Sequence, residues 1–350
     1  MSQTLQTQEY QGSELLNGMA ESATLAMARM ARELKEQGKP VISLSLGEPD
    51  FNTPDFVKEA GKKAIDDNYS HYPPVNGYLE VREAISKKFK RDNDLDYSPD
   101  QIVVSTGAKQ SIANVVLSLV NSGEEVILPG PYWVSYSAIV NVVGGIPVVV
   151  PSSLESDFKI TPEALEAAIT PKTRLIIYSS PCNPSGSAYS AEELSALAAV
   201  IARHPNIYVI SDEIYELINF DGTNTSLATN KAIYDRVITV NGVSKAFAMT
   251  GYRLGYIGAP LWIAKACSKI QGQFTSAPSG ISQMAAKAAV EVDPQVVAGM
   301  KETFRQRRDM MITTLREIPG LNLNIPGGAF YLFPDISSYF GTSCDGYQIN

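Results

Sequence analysis

The chain has 350 residues, 44% of them hydrophobic, and 29 basic against 37 acidic side chains give a formal net charge of −8. That length allows one large α/β domain with a smaller companion, and the acidic balance argues against a nucleic-acid or anionic-membrane partner. Two histidines, His71 and His204, and three scattered cysteines, Cys182, Cys267 and Cys344, offer little for a metal site, a Ser-His-Asp triad or a disulfide framework; with no long apolar run and no signal pattern, the expected location is the cytoplasm.

Residues 1–20 are polar and read as an arm. From Ser22 to Glu36 apolar residues recur at helical spacing, at Leu25, Met30 and Leu34, and Gly38-Lys39-Pro40 ends the run. Val41 to Leu46 alternates like a short strand and leads into Gly47-Glu48-Pro49-Asp50. Thr53 is placed to cap a helix with Pro54 at its first position. A loop rich in turn formers, His71 to Tyr78, precedes a helical pattern from Val81 to Asn93. Strand-like runs then appear at Gln101–Ser105, Glu125–Leu128, Ile146–Val150, Arg174–Tyr178, Ile207–Ile210, Val237–Val240 and Leu254–Ile257. Helical patterns separate most of them, among them 110–122, 161–169 and 190–204, where Thr161-Pro162 and Ser190 with Glu193 are start signals. Such alternation predicts an α/β fold, a mostly parallel sheet covered on both faces, with ligands held beyond the carboxyl ends of its strands. A long amphipathic helix over 296–318 follows, and Leu321–Ile325 and Ala329–Phe333 read as strands around the Pro326-Gly327-Gly328 turn.

The residues with chemistry fall at the predicted strand ends. Lys245 sits between two strands among Gly, Ala, Ser, Met and Phe; a desolvated amine, or one near a second cation such as Arg253, loses its proton near neutral pH and becomes a nucleophile toward carbonyls. A lone lysine is ordinarily a surface residue, so its neighbours decide. Ser105 to Gln110 marks a strand-to-helix junction where backbone N–H groups of Gly107, Ala108 and Lys109 can meet a phosphate, although a plain tight turn fits equally. Asn183 lies between Pro181 and Pro184 with its amide available. Asp212 ends a strand, where its carboxylate needs a cationic partner or caps a helix, and Tyr215 follows three residues on. Trp133 offers a flat ring, and Ser244 and Arg253 flank the lysine as phosphate donors. Stacking ring, carboxylate for a ring nitrogen, donors for a phenolic oxygen, phosphate donors and a lysine for an aldehyde together describe a site for pyridoxal 5′-phosphate.

The ordered motifs GAK (107–109), PYW (131–133), PCNPSG (181–186), SDEIY (211–215) and VSKAFAMTGYRLGY (243–256) resemble the aspartate aminotransferase family of fold-type I pyridoxal-phosphate enzymes, from about Ser22 to Phe333. The resemblance implies a large domain at 54–295 with a mostly parallel seven-stranded sheet. A smaller α+β domain would be shared between an arm-bearing segment at 1–53 and the part at 296–350. It also implies transfer of the aspartate amino group to 2-oxoglutarate by a ping-pong route, with Lys245 as the catalytic Schiff-base lysine and proton carrier. Asp212 would pair with the pyridine nitrogen, Asn183 and Tyr215 with the phenolic oxygen, and Trp133 with the ring face. Gly107, Ala108, Lys109, Ser244 and Arg253 would hold the phosphate, as would Tyr72 from a neighbouring subunit, so the expected unit is a homodimer with shared sites. Gly47 and Asn183 would meet the substrate α-carboxylate, and Lys109 with Ser22 and Trp133 the rest of a dicarboxylic substrate. Cys182 stands where the family carries Asn or Ser. The family's α-carboxylate arginine has no counterpart in these 350 residues, so impaired turnover is expected. Other readings that keep the fold are aromatic or prephenate transamination, β-elimination, or a catalytically silent relative. A nucleotide-dependent doubly wound enzyme lacks its phosphate fingerprint.

Overall fold

A computed structural model describes residues 12–19, 21, 23–44, 47–222, 224–344 and 347–349. Seven strands, β1 (Ile102–Ser105), β2 (Glu125–Pro129), β3 (Ile146–Val150), β4 (Thr173–Ser179), β5 (Tyr208–Asp212), β6 (Val237–Gly242) and β7 (Gly255–Gly258), form one sheet in the order β1-β7-β6-β5-β4-β2-β3. All neighbours run parallel except β7, which is antiparallel to both β1 and β6. Each strand lies within one or two residues of its expected position.

The strands were legible because most are buried on both faces, which demands continuous apolar runs. Val103, Leu128, Ile177 and Ile210 point to one face, against Ile112 and Val115 of α5 (Ala108–Leu119), Tyr136 of α6 (Ser135–Val142) and Ile263 of α9 (Leu261–Phe274). Val104, Ile127, Ile176 and Val209 point to the other. There they meet Val57 of α3 (Asp55–Asp66), Phe89 of α4 (Leu79–Asn93), Leu197 of α8 (Ala191–Ala202) and Ala285 of α10 (Gly280–Glu291). Two short helices, α1 (Glu14–Asn17) and α7 (Pro162–Ala168), and two longer ones, α2 (Ala23–Glu36) and α11 (Ala298–Leu315), complete the set among the described residues, none long and apolar enough to cross a membrane. Start signals hold where side chains are free to use them: Thr161 accepts from the Ala164 N–H, and Ser190 and Glu193 close a reciprocal capping box.

Four local expectations need correction. Thr53 does not cap α3: its hydroxyl donates to the Ala248 carbonyl at 2.8 Å, and Pro54 takes the cap position without a side-chain bond. Residues 41–44 form no strand, and Ile42 and Leu44 stand exposed; Ser45 and Leu46, the end of that expected strand, lie outside the described residues. Residues 321–325 contribute only a single bridge, Asn322 to Asp335. Residues 329–333 form no strand either, because the backbone of this segment is committed elsewhere. Gly328 N–H donates to Gly186 (2.9 Å), Ala329 N–H to Ile218 (2.7 Å), and Phe220 N–H to Gly327 (2.7 Å), while Ala329 turns with a φ of +57°. This stitching carries Phe330 and Tyr331 against Tyr215, Ile218, Phe51 and Phe304 of α11 in a small third core.

Candidate active site

The parallel order brings the carboxyl ends of β1, β2, β4, β5 and β6 to one edge of the sheet, together with the amino end of β7. A cleft of about 550 Å³ opens there. Most of its lining comes from residues just beyond the strands: Ala108 and Lys109 after β1, Trp133 and Tyr136 after β2, Asn183 after β4, Asp212 and Tyr215 at β5, Ser244 and Lys245 after β6, and Arg253 ahead of β7.

Lys245 Nζ donates to the Gly47 carbonyl at 2.6 Å. It hangs 5.8 Å from the centre of the Tyr215 ring and 5.7 Å from that of Phe330. Burial of the ammonium brings its pKa down to about 8; Glu48 and Asp212 pull it back up, and Arg253 presses it further down. Asp212, fully enclosed, is pushed up to about 6 by burial, opposed by the Tyr136 hydroxyl donating at 2.6 Å, the Ile214 N–H at 3.3 Å and the charge of Lys245. An acid and a base therefore sit in one cleft, each displaced toward neutrality.

The phosphate-binding expectation can be tested on the backbone. Gly107 adopts a φ of +84°, and a Cβ there would come within 2.7 Å of an Arg253 guanidinium nitrogen; a Cβ at Gly255 would overlap the backbone nitrogen of Ala108. Both glycines thus let the start of α5, which no side chain caps, lie directly against β7 and Arg253. Arg253 itself holds a left-handed φ of +55°, its guanidinium bonded to the Thr250 carbonyl at 3.0 Å. Ser244 is buried beside them. A cradle of N–H groups, a hydroxyl and a guanidinium, facing a lysine and a buried carboxylate, fits a phosphorylated pyridine aldehyde.

Trp133 packs edge-on to Tyr136, with ring centres 5.6 Å apart, and carries Lys109 Nζ 4.9 Å over its own face. Burial and then the charge of Arg253 lower the Lys109 pKa. Asn183 lines the cleft, and so does Gly47, where a Cβ would overlap the Tyr331 hydroxyl. Tyr72 does not join them: it stands 99% exposed and does not line the cleft. Ser22 lies outside the described residues. The structure adds groups that the sequence reading passed over. Tyr136 falls one helical turn after Trp133, and that spacing was the available signal. Tyr331 lay hidden in a segment read as a strand, while Glu48 and Thr250 bond each other across the cleft mouth.

Residues 39–344 match the family Aminotransferase class I and II. The chain belongs to the class I and II aminotransferases. Their cofactor is pyridoxal 5′-phosphate, and this chain is an aminotransferase that uses it. It is 48% identical over 339 residues to a bifunctional aspartate aminotransferase and glutamate/aspartate-prephenate aminotransferase of Petunia hybrida, covering 96% of this chain and 71% of the relative. An aspartate/prephenate aminotransferase of Cereibacter sphaeroides is 45% identical, with coverage of 96% and 85%. Among solved structures, the aspartate aminotransferase of Rhizobium meliloti superposes with a TM-score of 0.93 at 42% identity, covering 97% of this chain and 86% of the other. That of Thermus thermophilus with maleate superposes with a TM-score of 0.90 at 38% identity, covering 94% and 86%. These aminotransferases share the sheet and its helices, the fold-type I architecture.

Proposed function

We propose that the chain transfers the amino group of aspartate to 2-oxoglutarate by a ping-pong route, with Lys245 as its catalytic residue. The observation that carries this reading is the pairing of Lys245, held at the Gly47 carbonyl and brought near neutrality by burial, with the enclosed carboxylate of Asp212 in the same cleft. The cofactor, when bound, supplies an aldehyde for the lysine and a ring that accepts electrons from the substrate Cα. Asp212 holds a proton on the ring nitrogen, and Tyr136 fixes the carboxylate that does so. Asn183 and Tyr215 hydrogen-bond the phenolic oxygen, and Trp133 covers the ring. The N–H groups of Gly107, Ala108 and Lys109, the Ser244 hydroxyl and Arg253 hold the phosphate. Lys245, as a neutral amine, would accept the proton released from the substrate Cα.

Gly47 and Asn183 receive the α-carboxylate. Lys109, poised over Trp133 at the cleft wall, meets the distal carboxylate together with Ser22; the dicarboxylate maleate named with the Thermus thermophilus enzyme supports this choice. Prephenate as an alternative amino acceptor is favoured by the names of two relatives. The working unit is a cytoplasmic homodimer in which the exposed Tyr72 reaches the partner's phosphate. Within each chain, residues 54–295 would form the large domain, 1–53 an arm and part of the small one, and 296–350 the remainder of the small one.

The test is a visible absorption spectrum with pyridoxal phosphate, before and after aspartate, with Lys245→Ala as control. A lysine-dependent band that aspartate bleaches and 2-oxoglutarate restores is expected. A band indifferent to aspartate would reject that donor, and no band at all would reject the site. Light scattering checks the dimer.

A further inference from the structure

The two donors assigned above to the phenolic oxygen share a neighbour that no motif marked. Asn183 Nδ2 donates to the Tyr331 hydroxyl oxygen at 3.3 Å, and the Tyr331 and Tyr215 hydroxyls lie 2.6 Å apart. Tyr331 is fixed from three sides. The backbone just before it is tied to Gly186 in the Asn183 loop and to Ile218 in the turn after β5. Phe330 stacks on Phe304 at 5.1 Å and meets Tyr215 edge-on at 5.5 Å. The Tyr331 hydroxyl also rests on Gly47, where a Cβ would displace it, and the same residue's carbonyl holds Lys245.

The Tyr331 oxygen accepts from the amide, and with the Tyr215 proton given to the phenolic oxygen, as assigned above, the bond between the two hydroxyls takes the Tyr331 proton. Burial pushes Tyr331 to about 12 and Tyr215 well above the ordinary phenol range, so both phenols keep their protons and each has one to give. Bonds in such a series polarise one another, so a phenol that accepts a bond donates more strongly.

Resting on the reading above, we propose that Tyr331 is a positioning residue. It joins Asn183 to Tyr215 in one hydrogen-bond relay, aims the Tyr215 proton at the phenolic oxygen and strengthens Tyr215 as its donor. Donation to that oxygen withdraws negative charge from beside the nitrogen contributed by Lys245, and so lowers the pH at which that nitrogen loses its proton.

The experiment is a pH titration of the visible band of the reconstituted holoenzyme for wild type, Tyr331→Phe, Tyr215→Phe and the double variant. The midpoint is expected to rise by roughly half to one pH unit in Tyr331→Phe, the size of one net hydrogen bond. The double variant is expected to match Tyr215→Phe alone, because Tyr331 acts through Tyr215. An unmoved midpoint in Tyr331→Phe, or shifts that simply add, overturns the relay while leaving the aminotransferase reading intact. A wild type without a lysine-dependent band removes both. Should Tyr331→Phe not fold, Gly47→Ala displaces the same hydroxyl from outside; it must raise the midpoint, and an unchanged value counts against the proposal.

Discussion

Lys245 is held between opposed influences, and burial wins. Its pKa falls from the ordinary 10.5 to about 8, so below pH 8 the cofactor-free fold carries an ammonium that the unfolded chain would solvate better. Between about 8 and 10.5 the unfolded chain binds more protons than the folded one, and the contribution of this group to stability rises with pH across that window. Lys245→Met is therefore expected to raise the thermal midpoint of the cofactor-free protein by a few degrees at neutral pH, with the advantage shrinking as pH climbs past 8. A thermal-shift series across pH checks both the sign and the window. Asp212 is the complementary case. Its 2.6 Å bond from Tyr136 is one of the forces keeping it ionised against burial. Tyr136→Phe should push Asp212 further up and weaken cofactor affinity about tenfold or more, the worth of one hydrogen bond to a charged group. Fluorescence titration with pyridoxal phosphate reads this directly, and unchanged affinity would show that Asp212 does not depend on Tyr136.

At the scale of elements, the junction of β7 with α5 depends on the absence of a side chain. A Cβ at Gly255 would overlap the backbone nitrogen of Ala108 and come within 2.6 Å of the Gly107 carbonyl carbon, so Gly255→Ala must move the first turn of α5. Affinity for pyridoxal phosphate is expected to fall about tenfold while affinity for pyridoxal, which lacks the phosphate, stays nearly level; equal losses for both would point to general disruption instead. Such junctions were partly readable beforehand. The seven strands announced themselves through two-sided burial, and α8 through its capping box. Four helices, α1, α6, α9 and α10, fall outside those expected. The face that α10 presents to α3 and α4 is built from Ala285, Ala286 and Ala289, small residues that give little periodic contrast, while α1 and α6 span only 4 and 8 residues. The segment around Tyr331 misled because its alternation was apolar in the manner of a strand, whereas its backbone bonds run to the Asn183 loop and the Ile218 turn. The lysine, aspartate, asparagine and phosphate-loop positions were legible as motifs; the tyrosines that orient them were not, since Tyr136 and Tyr331 act through contacts distant in sequence.

For the whole molecule, the sheet edge that serves the cleft also conceals a second set of charges on the opposite side of β5. Glu213, next to Asp212 in sequence, accepts from Ser211 at 2.7 Å and Ser226 at 2.6 Å through one oxygen, while the other has no partner among the described residues. Nearby, Lys88 of α4 bonds Glu216 and, at 2.7 Å, Asn93, whose amide returns to Glu216 at 2.7 Å. Burial, reinforced by the negative charge of Glu216, pushes Glu213 up to about 8; the two serine hydroxyls and Lys88 pull the other way. Its folded pKa lies above its unfolded one, near 4.5, so between those values the folded chain holds the extra proton. The contribution of this group to stability is then largest at low pH and is lost as pH rises toward 8. Asp212, raised from 3.8 to about 6, adds to the same decline over a narrower window. The cofactor-free protein is therefore expected to melt progressively lower from mildly acidic to mildly alkaline pH. Glu213→Gln, which cannot ionise and keeps an oxygen for the two serines, should flatten most of that slope while leaving the spectrum of the holoenzyme unchanged. Calorimetry of both proteins across this range decides it: parallel curves would mean that Glu213 is ionised in the fold after all, with Lys88 near enough to sustain it.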